Sequence, residues 1–333
     1  MKAAYIESFG TPDAFRIGEL PTPTPQPGEV LVRVMAASVN PVDTYIRAGK
    51  VAMNAPMPYI PGCDLAGTVV AVGLGCTQYG IGDRVWGSNQ GLLGRQGTTA
   101  EFASVGEQWL YPLPDGVEFS TAAALALVGI TAHLGLFWRA NVQPGETVLV
   151  NGGSGAVGLA VVQMAQAHGA KVIATAGHAA KAELLTRLGA DAVVNYKTED
   201  LAGSVENFTS GRGVDVLYDT VPPTDLDRSV EMMAPFGRIV VMAGRAARPT
   251  FPNGPFYTKN LSLFGFVMFA IPAERQRQCA VDMNRWMSSG ELKPIIGKSF
   301  GLGEAADAHR LQEENTAGST GTLTGKIVIL PQS

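Results

Sequence analysis

The run Glu146-Thr-Val-Leu-Val-Asn-Gly-Gly-Ser-Gly-Ala-Val-Gly158 constrains this chain more than any other stretch. A β-branched apolar run ends in a glycine-punctuated turn, and residues 157–168 continue with helical apolar spacing. Gly153, Gly155 and Gly158 make the G-x-G-x-x-G spacing, while Gly152, Gly155 and Gly158 also fit G-x-x-G-x-x-G. Glycine permits the tight turn, lets backbone approach a ligand, and lets the helix pack closely on the strand. The helix start then offers free N–H groups and partial positive charge to a pyrophosphate. Glycine fills 40 of the 333 positions, so spacing alone carries little, and the strand–turn–helix context carries the reading. A looser copy at Gly301-Leu-Gly303-Glu-Ala-Ala306 lacks that context and reads as the lead into a helix. A dinucleotide site is therefore expected at Gly153, Ser154, Gly155, Ala156, Val157 and Gly158.

Two layouts follow one another along the chain. The first third is rich in glycine, proline and β-branched residues. Residues 30–35 and 66–72 read as strands and 83–86 and 99–105 as shorter ones, with turn signals such as Pro27-Gly28 and Pro61-Gly62 between them. From about Pro144, strands and helices alternate. Residues 147–151, 171–176, 192–196, 214–219, 238–243 and 261–267 are predicted strands, with amphipathic segments such as 180–188 and 225–233 between them. Alternation of this kind specifies a parallel, doubly wound sheet covered on both faces. Residues 273–289 and 304–314 read as helices and 326–330 as a closing strand, which suggests that the tail returns to the first domain. A chain of 333 residues exceeds one comfortable core. The fold class is α/β in two domains: residues 1–123 with 268–333 form the β-rich one, and 124–267 the nucleotide-binding one.

Composition removes several function classes. Charged residues are sparse at 16%, the net charge is -4, and no block of like charge exists, which argues against a nucleic-acid partner. Cys63, Cys76 and Cys279 lack pair spacing, and residues 1–8 lack the apolar core of a signal peptide, so a reduced, cytoplasmic protein is expected. The longest apolar run, residues 122–138, is interrupted by Thr131 and His133. It falls short of a bilayer span and reads as a buried helix rather than a membrane anchor.

The choice of dinucleotide turns on the end of the second nucleotide-domain strand. NAD sites usually carry Asp or Glu there to hold the adenosine ribose 2′-hydroxyl. This chain reads Gly177-His-Ala-Ala-Lys181, with no carboxylate. A small turn followed by Lys181 would attract a 2′-phosphate, and His178 adds a hydrogen bond, so NADPH is the expected cofactor. Gly244 and Arg245 follow the fifth strand, where carboxyl-end loops reach a cofactor.

Together these residues resemble the medium-chain dehydrogenase/reductase superfamily and, within it, the zinc-free quinone oxidoreductases similar to zeta-crystallin. The likeness covers essentially the whole chain. It is carried by Asn40-Pro-Val-Asp-Thr-Tyr-Ile-Arg47, Pro61-Gly-Cys-Asp-Leu-Ala-Gly-Thr-Val69, Gly82-Asp-Arg-Val85, the glycine turn, Asn195-Tyr196 and Thr324-Gly-Lys-Ile-Val328. The resemblance implies a GroES-like β-barrel catalytic domain joined to a Rossmann domain, with the active cleft between them and NADPH as cofactor. It matches Lys181 and Tyr196 to positions around the 2′-phosphate and Thr131 to one near the nicotinamide. Phe266 and Lys326 also join the expected cofactor-binding set. Zinc-dependent relatives carry Cys-x-x-Asp and Gly-His-Glu where this chain has Asn40-Pro-Val-Asp43 and Gly62-Cys-Asp64, so no metal is expected. Cys63 reads as a buried structural thiol and His133 as a core histidine.

Hydride transfer without a metal needs hydrogen-bond donors, or an acceptor that spreads charge by conjugation. Quinones and α,β-unsaturated carbonyls meet the second condition. Tyr45 is expected as the donor near the substrate oxygen, with Asn40 beside it; Asp43 is read as orienting local backbone. Residues 51–59, with Phe266, Met268 and Phe269, are expected to form an apolar wall for a planar substrate. The expected activity is NADPH-dependent reduction of quinones or other conjugated carbonyls. The alternatives are an enoyl or 2-alkenal reductase and, in another class, a non-catalytic NADPH-binding protein, crystallin-like or RNA-associated. Residues 261–267 form an apolar edge strand, and the resemblance implies that it pairs with its copy in a homodimer.

Overall fold

The computed structural model describes every residue except 52–53, 317–320 and 333. The chain divides into two compact units: Met1–Leu127, Pro272–Ser288 and Lys293–Ser333 form the first, Val128–Ile271 and Ser289–Leu292 the second.

In the first unit β1 (Lys2–Ile6) pairs antiparallel with β2 (Phe15–Glu19). There follow β3 (Glu29–Val39), α1 (Pro41–Arg47), β4 (Asp64–Val72), β5 (Arg84–Gly87), β6 (Phe102–Gly106) and β7 (Leu110–Pro112). The long strand β3 follows from alternation. Val30, Val32 and Val34 are fully buried, while Arg33 stays in solvent with its guanidinium over the Phe102 ring. Helix α1 starts where the sequence demands: Pro41 occupies its first position, and the Asp43 carboxylate accepts the Asn40 backbone N–H at 2.8 Å. Helix α2 (Phe119–His133) runs on into a wider π-turn at Leu134–Arg139. The expectation of an apolar run too short for a bilayer is corrected here. Phe119–Arg139 is long and apolar enough to cross a membrane, but 78% of its apolar window is buried inside the protein, as in a core helix.

The second unit alternates strictly: β8 (Thr147–Asn151), α3 (Ala156–Ala167), β9 (Lys171–Ala176), α4 (Ala179–Arg187), β10 (Ala192–Asn195), α5 (Leu201–Thr209), β11 (Val214–Asp219), α6 (Leu226–Glu231), β12 (Met233–Val241), α7 (Asn253–Thr258) and β13 (Ser262–Gly265). Its sheet is parallel throughout, in the order β10-β9-β8-β11-β12-β13. This is the doubly wound dinucleotide-binding topology, whose order reverses across β8 and β11. Leu149, Ile173, Val194, Leu217 and Ile239 fill the core beneath it. One strand begins earlier than residues 238–243 suggest. Phe236 takes a positive φ of 63°. The chain nevertheless stays in β12, with a register shift between Val214 and Val216 of β11 absorbing the irregularity.

The tail supplies α8 (Ala273–Ser289), β14 (Ile296–Gly301), α9 (Ala305–Thr316) and β15 (Lys326–Leu330). Strands β14 and β15 join the sheet of the first unit in the order β14-β15-β3-β4-β5-β7, with β6 pairing β3. Ile327 and Ile329 of β15 pack with Val32, Val34 and Leu65 in one apolar core.

Candidate active site

Strand β8 ends at Asn151, and the chain turns through Gly152 to Gly155 before α3 begins. The glycines are required for different reasons. Gly152 has φ +78°, and a Cβ there would meet Thr220 Oγ1 at 2.3 Å. A Cβ on Gly158 would lie 2.3 Å from the Gly152 carbonyl oxygen, and one on Gly153 would lie 2.9 Å from Ala174 Cβ. These two serve close packing. Gly155 is exposed, has φ -75°, and its Cβ would meet only the Gly152 oxygen at 3.3 Å. The chain itself does not demand glycine at 155; what the glycine preserves is access to the helix start. Gly155 is also the N-cap of α3 and offers no capping side chain, so the first-turn N–H groups of Ala156, Val157 and Gly158 are left for a ligand. Half-buried Ser154 stands on the rim. The cradle fits a pyrophosphate.

The next strand end carries positive charge. Strands β9 and β10 pair with Ala176 opposite Asn195, so Gly177 and Tyr196 emerge side by side. A Cβ on Gly177 would lie 2.7 Å from the Tyr196 hydroxyl, which places the phenol against that backbone, with 53% of the residue exposed. His178 is exposed and begins α4, and Lys181 lies in that helix's first turn. Partial burial and the neighbouring Lys197 hold the Lys181 ammonium below its ordinary pKa. Lys197 had no motif to mark it; its place directly after Tyr196 was the available signal. The Lys197 backbone N–H donates to Asn195 Oδ1 at 3.1 Å, fixing the turn from which its side chain springs. Two lysines, a phenol and an imidazole thus gather where NAD sites keep a carboxylate.

Further along the same edge of the sheet, Gly244 (φ +82°) and exposed Arg245 follow β12, and half-buried Phe266 follows β13. Thr131 is buried at 4% exposure, and its carbonyl accepts the Tyr218 hydroxyl at 2.8 Å. His133 is likewise buried, its ring against Phe137.

The first unit holds two of the expected site residues inside the protein. Asn40 is fully buried, its Nδ2 donates to Asp64 Oδ2 at 2.8 Å, and its Oδ1 accepts from the Lys326 ammonium. Lys326, expected among cofactor ligands, is buried at 4% exposure and also donates to the Val39 carbonyl at 2.8 Å. Both are consumed by one internal polar cluster with Asp43, Cys63, Asp64 and Ser38, whose hydroxyl donates to Asp64 at 2.8 Å. Burial sets its electrostatics. The Asp43 carboxyl is pushed up to about 6, the Asp64 carboxyl and the Cys63 thiol are raised, and the Lys326 ammonium is lowered while both carboxylates oppose that shift. Asp64 also accepts the Leu127 backbone N–H at 3.1 Å. Among the described residues no three His, Cys, Asp or Glu side chains converge to hold a metal ion, and the cation balancing this cluster is Lys326.

Tyr45 lies elsewhere, lining a cavity of about 420 Å³ with Thr11, Thr44, Arg47, Lys50 and Glu313. Arg47 and Glu313 form an ion pair there. Burial raises the Tyr45 phenol, so it keeps its proton at neutral pH. Of the residues expected to form the apolar wall, Met57 is 43% exposed. Tyr59 is a core residue donating to the Gly91 carbonyl at 2.7 Å, Met268 is buried, and Ala52 and Met53 lie outside the described residues.

The alcohol dehydrogenase GroES-like domain family matches residues 26–115, and the zinc-binding dehydrogenase family matches residues 156–285. A quinone oxidoreductase of Rattus norvegicus is 34% identical over 331 residues, spanning 99% of this chain and 98% of the relative. The solved structure of an Escherichia coli quinone oxidoreductase complexed with NADPH superposes with a TM-score of 0.85 at 27% identity, over 99% of this chain and 100% of that one. A structure described as an NAD-dependent alcohol dehydrogenase gives 0.87 at 31% identity, over 99% and 100%. Likeness of fold thus spans proteins described with either nucleotide.

Proposed function

We propose a function on one premise: the chain belongs to the quinone oxidoreductase group of the medium-chain dehydrogenase/reductase superfamily. It is an NADPH-dependent reductase of quinones and other conjugated carbonyl compounds. The observation that carries this reading is the pairing of an uncapped helix start at Gly155 with the Lys181–Lys197–Tyr196 cluster one strand away. The related E. coli enzyme, whose structure contains NADPH, supports the choice of nucleotide.

In this reading the first-turn amides of α3 hold the pyrophosphate, and Lys181, Lys197, His178 and Tyr196 hold the 2′-phosphate. Gly244 and Arg245 line the ribose and phosphate side, with Thr131 and Phe266 toward the nicotinamide. When bound, NADPH supplies a hydride to an electrophilic carbon of the substrate. Negative charge then develops on the substrate oxygen. The Tyr45 hydroxyl, kept protonated by burial, donates to that oxygen. Asn40 acts behind it as a structural member of the buried cluster, and the reaction proceeds without zinc. The short edge strand β13, with Leu263 37% exposed and Val267 just beyond it 50% exposed, pairs with a second copy of the chain.

The test is NADPH oxidation against a benzoquinone, a small enone and an enoyl thioester. Turnover of the quinone or the enone supports the reading. Turnover of the thioester alone favours an enoyl reductase, and tight NADPH binding with no turnover favours a binding-only protein. Tyr45→Phe should lower kcat by about tenfold or more while leaving NADPH affinity intact.

A further inference from the structure

We infer that Asp219 is a positioning residue for the glycine turn, acting through Asn151 and Thr175; the inference rests on that turn being the nucleotide site. The three side chains stand at the carboxyl ends of adjacent strands: Thr175 on β9, Asn151 on β8 and Asp219 on β11. Their hydrogen bonds run in one direction. The Gly152 N–H donates to Thr175 Oγ1 at 2.9 Å, and the Thr175 hydroxyl donates its own proton to Asn151 Oδ1 at 3.1 Å. Asn151 Nδ2 then donates to Asp219 Oδ1 at 2.9 Å. That direction fixes the amide: its oxygen meets the threonine hydroxyl, so its NH₂ must meet an acceptor. Asp219 supplies one and also accepts the Val221 backbone N–H at 3.0 Å.

Strand β11 grips the turn from a second side. Thr220 Oγ1 donates to the Asn151 carbonyl at 2.8 Å and stands where a Cβ on Gly152 would be. Gly152 is the peptide that matters for binding. Its carbonyl accepts the Gly155 N–H at 3.0 Å and lies against Gly158, so its orientation sets the first turn of α3.

Asp219 is only 2% exposed, and burial raises its carboxyl. Holding a carboxylate there costs stability, which a purely structural strand end could avoid with an apolar residue. The opposite end of the same two strands provides an internal comparison. Asp215 accepts the Thr147 N–H at 2.9 Å, also tying β11 to β8, but away from the turn.

The experiment titrates NADPH by its fluorescence into the full chain and into Thr175→Val, Asp219→Ala, Asp219→Asn and Asp215→Ala, with a Tm for each. Thr175→Val and Asp219→Ala should weaken NADPH binding about five- to tenfold, the scale of one lost hydrogen bond. KM for NADPH should rise to match while kcat holds. Asp219→Asn keeps an acceptor oxygen and should stay within about twofold of the parent, and Asp215→Ala should lower Tm with affinity unchanged. Wild-type NADPH affinity in both Thr175→Val and Asp219→Ala, whatever their Tm, would overturn the positioning role. Failure of the parent itself to bind NADPH would overturn the nucleotide reading, and this inference with it.

Discussion

The turn at Gly152–Gly158 and the cluster around Asp64 are both dense in polar groups, yet they are built to opposite ends. In the turn, backbone donors at a helix start lack a capping side chain and lie beside an exposed glycine. In the cluster, Asn40, Asp64 and Lys326 are buried and bonded to one another and to Ser38 and Val39. The difference teaches that a polar residue in a motif is a ligand candidate only when its partners are not already inside the protein. A buried pair satisfied internally fixes a fold, whereas an uncapped helix start keeps its donors for something else.

That contrast can be broken at its strongest point first. Lys326→Met removes the cation that balances Asp64 and Asp43, and should destabilise the protein by about 3–5 kcal/mol in denaturant unfolding. Protein that remains folded should bind NADPH as before; a tenfold affinity loss at unchanged stability would return Lys326 to the cofactor site. The two glycines sharpen the other side. Gly158→Ala, whose Cβ would meet backbone at 2.3 Å, should lose both stability and NADPH binding. Gly155→Ala should cost far less Tm than Gly158→Ala while weakening NADPH by about tenfold, because inside the protein its methyl would meet only the Gly152 oxygen, at 3.3 Å. A parallel loss of both properties in Gly155→Ala would remove the distinction.

A smaller effect separates nucleotides. Lys181→Glu and Lys197→Glu should each weaken NADPH by about tenfold and leave NADH nearly untouched, since NADH carries no 2′-phosphate for either charge to attract. The smallest is a pH effect in the cluster. Asp43 binds its proton more tightly folded, at about 6 against an ordinary value of 3.8. Its contribution to stability is therefore fully present below about pH 4 and is lost as pH rises to about 6. Asp43→Asn should flatten unfolding free energy across that window; an unchanged slope would place the titration elsewhere.

Much of the fold was legible because its signals are local. Strands β8, β9 and β11 and the closing β15 announce themselves as β-branched runs, and the glycine turn fixes where α3 starts. Strand β14 was not legible: Ile296-Gly-Lys-Ser-Phe-Gly301 buries only Phe300 fully, and its pairing to β15 is supplied by tertiary contact. The early start of β12 was hidden for a similar reason, since Phe236 accepts a left-handed φ inside a strand. In the site, motif residues of the second unit fell where strand ends carry them. The hydrogen bond between Asn40 and Lys326 was not legible, because the sequence separates them by 286 positions and only the pairing of β15 with β3 brings them together. Lys197 and the Asp219 relay escaped notice because neither has a motif, only a register.

Calorimetric titration of the protein with NADPH and, separately, with NADH tests the central claim most directly. Saturation at one NADPH per chain is expected, with NADH weaker by about tenfold or more. Equal affinity for the two nucleotides, or no binding of either, would contradict it.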